Sequence, residues 1–190
     1  MEHAKTNDVV TGGLTARPGS EDTAYAIGKY FVECHDKDGN LKWTAESKNL
    51  VVNVGLQYMA GVALTSTAQI TTWYIGLYGA GASNTPAASD TMSSHAGWTE
   101  VTNYSESTRV VATFAAATNA NPSVVSNTAS KAQFSINATT TVGGAFLTSG
   151  SAKGGTTGTL FSAADFQAPG DRSVVSGDTI QVTYTFSLNG

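Results

Sequence analysis

The sequence predicts an all-β fold, a jelly-roll-like β-sandwich with one short helix and an extended N-terminal arm. One observation is compositional: charged residues make up only 13% of the 190 residues, and small uncharged polar residues take their place. Another is the series of about eight short apolar runs, which turn residues separate. The third is a C-terminal stretch with a two-residue period. Together they indicate that sheets bury most of the hydrophobic residues.

The C-terminal stretch, residues 177–188, alternates between apolar and hydroxyl-rich positions. Successive side chains of a strand point to opposite faces, so this pattern predicts one buried and one polar face. We expect a long central strand, entered from a turn at Gly177, that is paired along most of its length. The expected buried residues include Val182, Tyr184 and Phe186.

The chain divides into an arm and a domain. Residues 1–24 carry isolated apolar residues among polar residues and glycines, too few to offset the entropy that is lost on ordering. We therefore expect residues 1–24 to form an N-terminal arm that is flexible or bound to a partner. Residues 25–190 are expected to form a single β-sandwich domain. The candidate partner contacts in the arm are Val9, Val10, Leu14 and Arg17.

A hairpin is predicted at the start of the domain. Two extended runs flank Asp38-Gly39, a dipeptide typical of tight hairpin turns. The stretch that begins at Asp36 also resembles a calcium loop, which would need a bidentate Glu at its twelfth position. That position is Ser47, so we favour the hairpin turn over a calcium site.

One helix is predicted within residues 49–64, although the first of these residues are also compatible with a strand. Asn53 is a suitable cap, and Leu56, Met59 and Ala60 keep helical spacing. Further strands are predicted at residues 71–78, 98–101, 109–114, 132–138, 141–148, 160–162 and 173–175.

The sequence carries no pattern typical of an enzyme or a metal site. His3, His35 and His95 are scattered and lack the spacing of metal ligands. Asp90 and Glu100 could in principle form a glycosidase pair, but we interpret them as solvated loop carboxylates. We therefore predict no enzymatic activity, no cofactor and no bound metal.

Two further patterns have a structural and a functional interpretation. Residues 154–158 are rich in glycine but lack the Gly-Lys-Ser/Thr of a phosphate-binding loop, so we interpret them as a flexible loop. Trp43, Trp73 and Trp98 could line a sugar-binding face. Their strand-like surroundings favour core packing or an interface instead.

Composition also limits the partners and the compartment. The net charge is −4 with no basic run, which argues against nucleic acid, and no apolar run approaches a membrane span of ~18 residues. Cys34 is the only cysteine and cannot form an internal disulfide. The polar N-terminus lacks the apolar segment of a secretion signal, so we expect synthesis in a cytoplasm.

Three blocks of residues carry a resemblance to a known family. The first comprises residues 38–41, 48–51 and 55–59; the second comprises residues 90–92, 95–100 and Tyr104; the third comprises residues 127–134, 143–147, 154–158 and 176–179. Over roughly residues 30–188 the chain resembles the cement, or head-decoration, proteins of tailed bacteriophages. The matching residues are structural, and none is part of a catalytic signature.

The resemblance implies a jelly-roll-like domain that binds the outer surface of the major capsid protein shell and stabilises capsomer junctions. Its partners would be the major capsid protein and other copies of itself, as a dimer or trimer. The protein would be made in the host bacterial cytoplasm and reside on the outside of the virion. Trp98 would be a further partner contact. The alternative is a carbohydrate-binding or adhesin-type β-sandwich module of a virion, which would use exposed aromatic residues such as Trp98.

Overall fold

The computed structural model describes residues 24–79, 85–166 and 170–190. These residues form two antiparallel sheets and one helix. The elements are β1 (Tyr25–His35), β2 (Leu41–Lys48), β3 (Leu50–Val51), α1 (Asn53–Leu64), β4 (Tyr74–Gly79), β5 (Glu100–Val101), β6 (Val110–Val111), β7 (Ser123–Ser126), β8 (Ala132–Ser135), β9 (Thr140–Thr148), β10 (Leu160–Asp165), β11 (Arg172–Val174) and β12 (Thr179–Asn189). The predicted all-β sandwich with one short helix is confirmed. The predicted arm lies outside the described residues, apart from Ala24, and β1 begins at Tyr25.

The first sheet is built around the C-terminal strand, as the sequence predicts. Its order is β2-β1-β12-β7, and β8 also pairs with β12. Strand β12 pairs with β1 along its whole length, from Thr179 opposite His35 to Asn189 opposite Tyr25. Val182 and Tyr184 are buried and Phe186 is half-buried, so the predicted inward face is confirmed.

The second sheet has the order β3-β10-β9-β4-β5, with β11 added to β9 and β6 added to β4. Most residues of β4, β9 and β10 are buried, because one face of the sheet meets the first sheet and the other is covered by Met92, Trp98 and the start of α1. Strands that are covered on both faces are continuously apolar rather than alternating. This explains why only the first sheet shows a clear two-residue period in the sequence.

The two sheets pack on a shared core, where hydrogen bonds between hydroxyl groups connect one sheet to the other. The rings of Tyr30 and Tyr184 lie 4.6 Å apart on neighbouring strands of the first sheet. Ser162 of β10 links them to the second sheet, with its Oγ 3.0 Å from the Tyr30 hydroxyl and 3.3 Å from that of Tyr184. Burial raises the pKa of both phenols well above the ordinary range, so they stay neutral hydrogen-bonding groups.

The predicted helix is confirmed, but its start differs from the prediction. Asn53 is the first helical residue rather than the cap, and Val52 holds the cap position without a side-chain hydrogen bond. The backbone N–H of Asn53 instead donates to the carbonyl of Ala88, 2.8 Å away. Gly55 is required for packing, since a Cβ there would collide with the Phe161 carbonyl. Leu56 is exposed, so its helical spacing did not indicate burial.

The Asp-Gly hairpin is also confirmed. Asp36 Oδ1 accepts hydrogen bonds from the backbone N–H groups of Asp38 and Asn40, each at 2.9 Å. Gly39 has φ +83°, a left-handed conformation that favours glycine. A hydrogen bond from the Asn40 side chain, together with these backbone hydrogen bonds, lowers the pKa of Asp36. Its carboxylate therefore stabilises the turn.

Candidate binding surface

A buried arginine organises the loops beside β5. The Arg109 side chain is fully buried and binds Glu100 through two hydrogen bonds, Nε to Oε1 at 2.8 Å and Nη2 to Oε2 at 2.7 Å. Its remaining N–H groups donate to the carbonyls of Gly150 and Gly155 at 2.8 and 2.7 Å. A bidentate pair that is also bonded to carbonyls is the arrangement in which a buried charge is tolerated. We call these four residues the arginine clamp.

The arginine clamp corrects two sequence interpretations. Glu100 is not a solvated loop carboxylate, because Arg109 covers it and its side chain is only slightly exposed. The glycine-rich segment is not a flexible loop, because Glu100 also accepts a hydrogen bond from the backbone N–H of Gly154 at 2.8 Å. Lys153 adds a further attachment, donating to the carbonyl of Tyr104 at 2.8 Å.

Asp90 and Trp98 form a second internal polar contact. Trp98 is 4% exposed, and its Nε1 donates to Asp90 Oδ2 at 3.0 Å. Asp90 also accepts from the backbone N–H of Ala87, so it too is buried and bonded rather than solvated. The His95 ring stacks on Trp98 at 3.8 Å between centroids. The expectation that Trp98 offers an exposed surface to a partner or a sugar is therefore wrong.

The other tryptophans pack as the sequence favours. Trp73 is half-buried between the rings of Tyr58 and Phe161, each 5.4 Å away, and Trp43 contacts Phe166. Core packing, rather than an exposed sugar-binding face, accounts for these rings.

The described residues also bear on the candidates for metal binding and reactive chemistry. Within residues 24–79, 85–166 and 170–190, no three or more His, Cys, Asp or Glu side chains are grouped to hold a metal ion. Cys34 is wholly buried, and burial raises the pKa of its thiol to about 11. Its thiol is therefore protonated and unreactive at neutral pH.

A different feature stands out as a candidate site: an apolar groove where the two sheets separate beside α1. Its volume is about 390 Å³. The helix contributes Met59 and Val62 to one side, and the end of β12 contributes Phe186 and Leu188 to another. The remaining lining residues are Tyr58, Ala63, Gln69, Ile70, Trp73, Phe114, Val125, Leu147, Phe161 and Tyr184. We call this cavity the apolar groove.

The apolar groove exists because β12 is longer than the core that covers it. Ile180, Val182 and Tyr184 are buried, whereas Leu188 on the same face is 45% exposed. The inward face of the strand thus continues beyond the point where the second sheet packs against it. The sequence pattern shows which side chains share a face, but it does not show where the opposite sheet ends.

Exposed apolar residues surround this part of the molecule. Leu64, at the end of α1, is 86% exposed. Tyr25 and Ile27 lie on the outer face of the first sheet at the end that carries Leu188, and they are 58% and 51% exposed. Single exposed apolar residues are ordinary, but several beside an apolar groove are typical of an interaction surface.

The arm leaves the domain beside the apolar groove. Ala26 pairs directly with Leu188, which lines the groove. Residue 24 is only two positions before Ala26. The sequence-predicted contacts Val9, Val10, Leu14 and Arg17 lie outside the described residues. Sequence reasoning missed the apolar groove, although the apolar stripe of α1 and the parity of Leu188 both contribute to it.

A polar hollow lies on the outer face of the first sheet, with a volume of about 480 Å³. Gln133 and Gln181 face each other across β8 and β12, and Lys131 forms an ion pair with Glu33 at the edge. His35 also lines the hollow, and its Nδ1 atom is buried without a hydrogen-bond partner among the described residues. These groups could recognise a polar ligand.

Comparison with protein-family models, with curated proteins and with solved structures found no match for this chain. Among the described residues, no helix has the length and apolarity needed to cross a membrane. The interpretation of function therefore rests on the geometry above and on the resemblance in the sequence.

Proposed function

We propose that this chain is a structural decoration, or cement, protein of a bacteriophage capsid. It binds the outer surface of the major capsid protein shell and stabilises the junctions between capsomers. The observation that carries the proposal is the apolar groove with its exposed apolar surroundings, beside the point where the arm leaves the domain. The resemblance over roughly residues 30–188 supplies the class of partner.

The internal polar contacts support a binding role over catalysis. Glu100 and Asp90, the two carboxylates that could in principle have formed a glycosidase pair, are held by Arg109 and by the Trp98 indole, respectively. A carboxylate fixed in this way contributes to stability and is not poised for proton transfer. By contrast, the apolar groove offers surface that is favourable to cover, at about 25 cal/mol for each Å² removed from water.

The proposed partner contacts combine the arm with this surface. Val9, Val10, Leu14 and Arg17 are proposed to contact neighbouring subunits on the shell, including other copies of this chain, at the junction that the rim of the apolar groove faces. Each contact is modest, but many copies on a symmetric lattice raise the effective concentration of every further contact. This is how a small domain without chemistry can stabilise a shell.

The proposal is tested with empty capsids of the phage that encodes this chain, assembled without it. The full-length protein is added, the capsids are pelleted and the bound fraction is imaged by electron cryo-microscopy. We expect saturable binding, density outside the capsomer junctions and a higher capsid melting temperature. Virions that already carry the protein are the control and should bind little more. Protein that stays in the supernatant with undecorated capsids would contradict the proposal.

The polar hollow favours a second candidate function, a carbohydrate-binding or adhesin-type module. Gln133 and Gln181 could donate to and accept from sugar hydroxyls there. A glycan array with the full-length protein tests this function. A sugar-binding hollow would give a glycan signal that Gln133→Ala abolishes. Ser187→Ala, on the same outer face but outside the hollow, should retain that signal. Binding to capsids with no glycan signal would favour decoration instead.

A further inference from the structure

The apolar groove needs an occupant, and the chain itself offers one. The groove is lined almost entirely by apolar side chains and is large enough for several aliphatic side chains. Residues 1–23 precede the described part of the chain, and their apolar residues include Val9, Val10 and Leu14. An arm with a few spaced aliphatic residues is the chemical complement of an open apolar groove.

The point of attachment places this segment within reach. Ala26 pairs with Leu188 at the mouth of the groove. Ala24 lies ten positions after Leu14, and an extended chain of that length spans about 33 Å. This distance is comparable to the width of a domain of this size, so the arm can cross from one molecule to the next.

The direction of β1 favours a second copy of the chain over the arm's own groove. Strand β1 runs inward from the groove end, so an arm that continued its line before Ala24 would extend away from the domain and would have to reverse to enter its own groove. The groove of a facing molecule requires no such reversal. Tyr25, exposed at the first position of β1, would lie close to that molecule.

We infer that two copies of this chain pair with their groove ends facing, and that the Val9–Leu14 segment of each occupies the apolar groove of the other. The same surface serves both partners, so the arrangement is a closed twofold pair. Each copy contributes residues that complete the partner's groove. The inference goes beyond the proposed function and does not require it, because the pair forms without a capsid.

Cross-linking tests which groove receives the arm. One full-length preparation carries Val10→Cys and another, with a different tag, carries Leu188→Cys; the native Cys34 is buried and does not compete. The preparations are mixed and treated with a short bis-maleimide. We expect a cross-link between the two tags, about tenfold more abundant than with Ser187→Cys, which points to the opposite face of β12.

The remaining outcomes decide the matter in either direction. A chain that carries both Val10→Cys and Leu188→Cys should give covalent dimers; an internally bridged monomer would overturn the inference in favour of the arm's own groove. A yield with Leu188→Cys no higher than with Ser187→Cys would also overturn it. Because no capsid is present, failure here leaves the decoration proposal standing, and failure to bind capsids leaves this inference standing.

Discussion

The arginine clamp and the apolar groove show two opposite ways of finishing a β-sandwich. In the clamp, Arg109 uses its N–H groups on Glu100 and on the loop carbonyls of Gly150 and Gly155, so a buried charge is satisfied inside the chain. In the groove, Phe186 and Leu188 extend an apolar face beyond the second sheet. One region is satisfied within the chain, and the other leaves apolar surface that a partner would cover if the proposal is correct.

This difference favours the apolar groove, rather than the polar loop residues, as the candidate binding site. Polar residues in loops attract attention in a sequence because they resemble catalytic or ligand-binding groups. In this structure the Trp98 indole donates a hydrogen bond to Asp90, and Glu100 is paired with Arg109. These contacts stabilise the fold. The site proposed for binding consists of ordinary apolar residues that remain exposed.

The largest expected effect comes from breaking the arginine clamp. Arg109→Met would leave Glu100 buried without its ion-pair partner and remove two donors from loop carbonyls. Removing one partner of a buried pair costs roughly 3–5 kcal/mol in the free energy of unfolding. Thermal and urea denaturation should show this loss.

The matched control for the clamp is a double variant. Arg109→Met with Glu100→Met removes both charges, and replacing both members of a buried pair with apolar residues is often nearly neutral. We expect the double variant to be more stable than Arg109→Met alone. An Arg109→Met protein that unfolds at the wild-type urea concentration would show that the clamp contributes little.

A smaller loss is expected at the second polar contact. Trp98→Phe keeps an aromatic ring but removes the Nε1–H that donates to Asp90. A buried acceptor that loses a donor costs about 1–3 kcal/mol. Equilibrium unfolding measures this loss of stability. Adding Asp90→Asn to Trp98→Phe should recover part of the loss, because a buried neutral amide without a hydrogen-bond donor costs less than a buried carboxylate without one. If stability is not recovered, the loss comes from altered packing of the ring.

Filling the groove should stabilise the domain slightly. Ala63 and Ala60 on α1 are both exposed, but Ala63 lines the groove and Ala60 does not. Ala63→Leu should therefore raise the unfolding free energy above that of Ala60→Leu, by at most about 1 kcal/mol. Thermal denaturation of the two variants provides the comparison. Equal melting temperatures would mean that the groove does not bury the added side chain.

The smallest expected effect depends on pH and concerns Asp165. Glu100, in contrast, is paired with Arg109. Burial raises the pKa of Asp165, and the nearby carboxylate of Asp171 raises it further. A carboxyl with a raised folded-state pKa contributes stability below its ordinary pKa and loses that contribution as pH rises through the folded value. Asp165→Asn should therefore unfold at a slightly higher temperature than wild type at pH 7.

At acidic pH, below the ordinary pKa of aspartate, the advantage of Asp165→Asn should vanish. Asp38→Asn, in the exposed turn after β1, controls for the change in net charge. Melting curves from acidic to neutral pH measure both variants. An advantage for Asp165→Asn that is constant across pH would mean that ionisation is not its cause.

The sequence predicted the first sheet well for a physical reason. Strand β12 packs one face on the core and exposes the other, so its side chains alternate and Val182 and Tyr184 could be assigned to the core. The hairpin was equally clear, because Gly39 occupies a left-handed turn position. Such features depend on local geometry, which a single chain records in its residue order.

The second sheet and the site were harder to predict. Strand β9 was expected to start one residue later than it does, because a strand covered on both faces lacks a clear period. In the first sheet β7 was missed, because it is only four residues long. The burial of Trp98 depends on Asp90, eight residues away, and the clamp joins Arg109 to carbonyls more than forty residues later. The groove depends on where two sheets stop overlapping, which no local pattern encodes.

The central claim is that the groove end is an interface between two copies of this chain, and sedimentation velocity of the full-length chain over a range of concentrations tests it most directly. Leu188→Asp places a charge at the groove mouth, whereas Ser187→Asp places the same charge on the opposite face of the same strand. We expect wild type and Ser187→Asp to form dimers with similar affinity, and Leu188→Asp to dimerise at least about tenfold more weakly. A wild-type chain that remains monomeric throughout, or variants that dimerise equally, would contradict the claim.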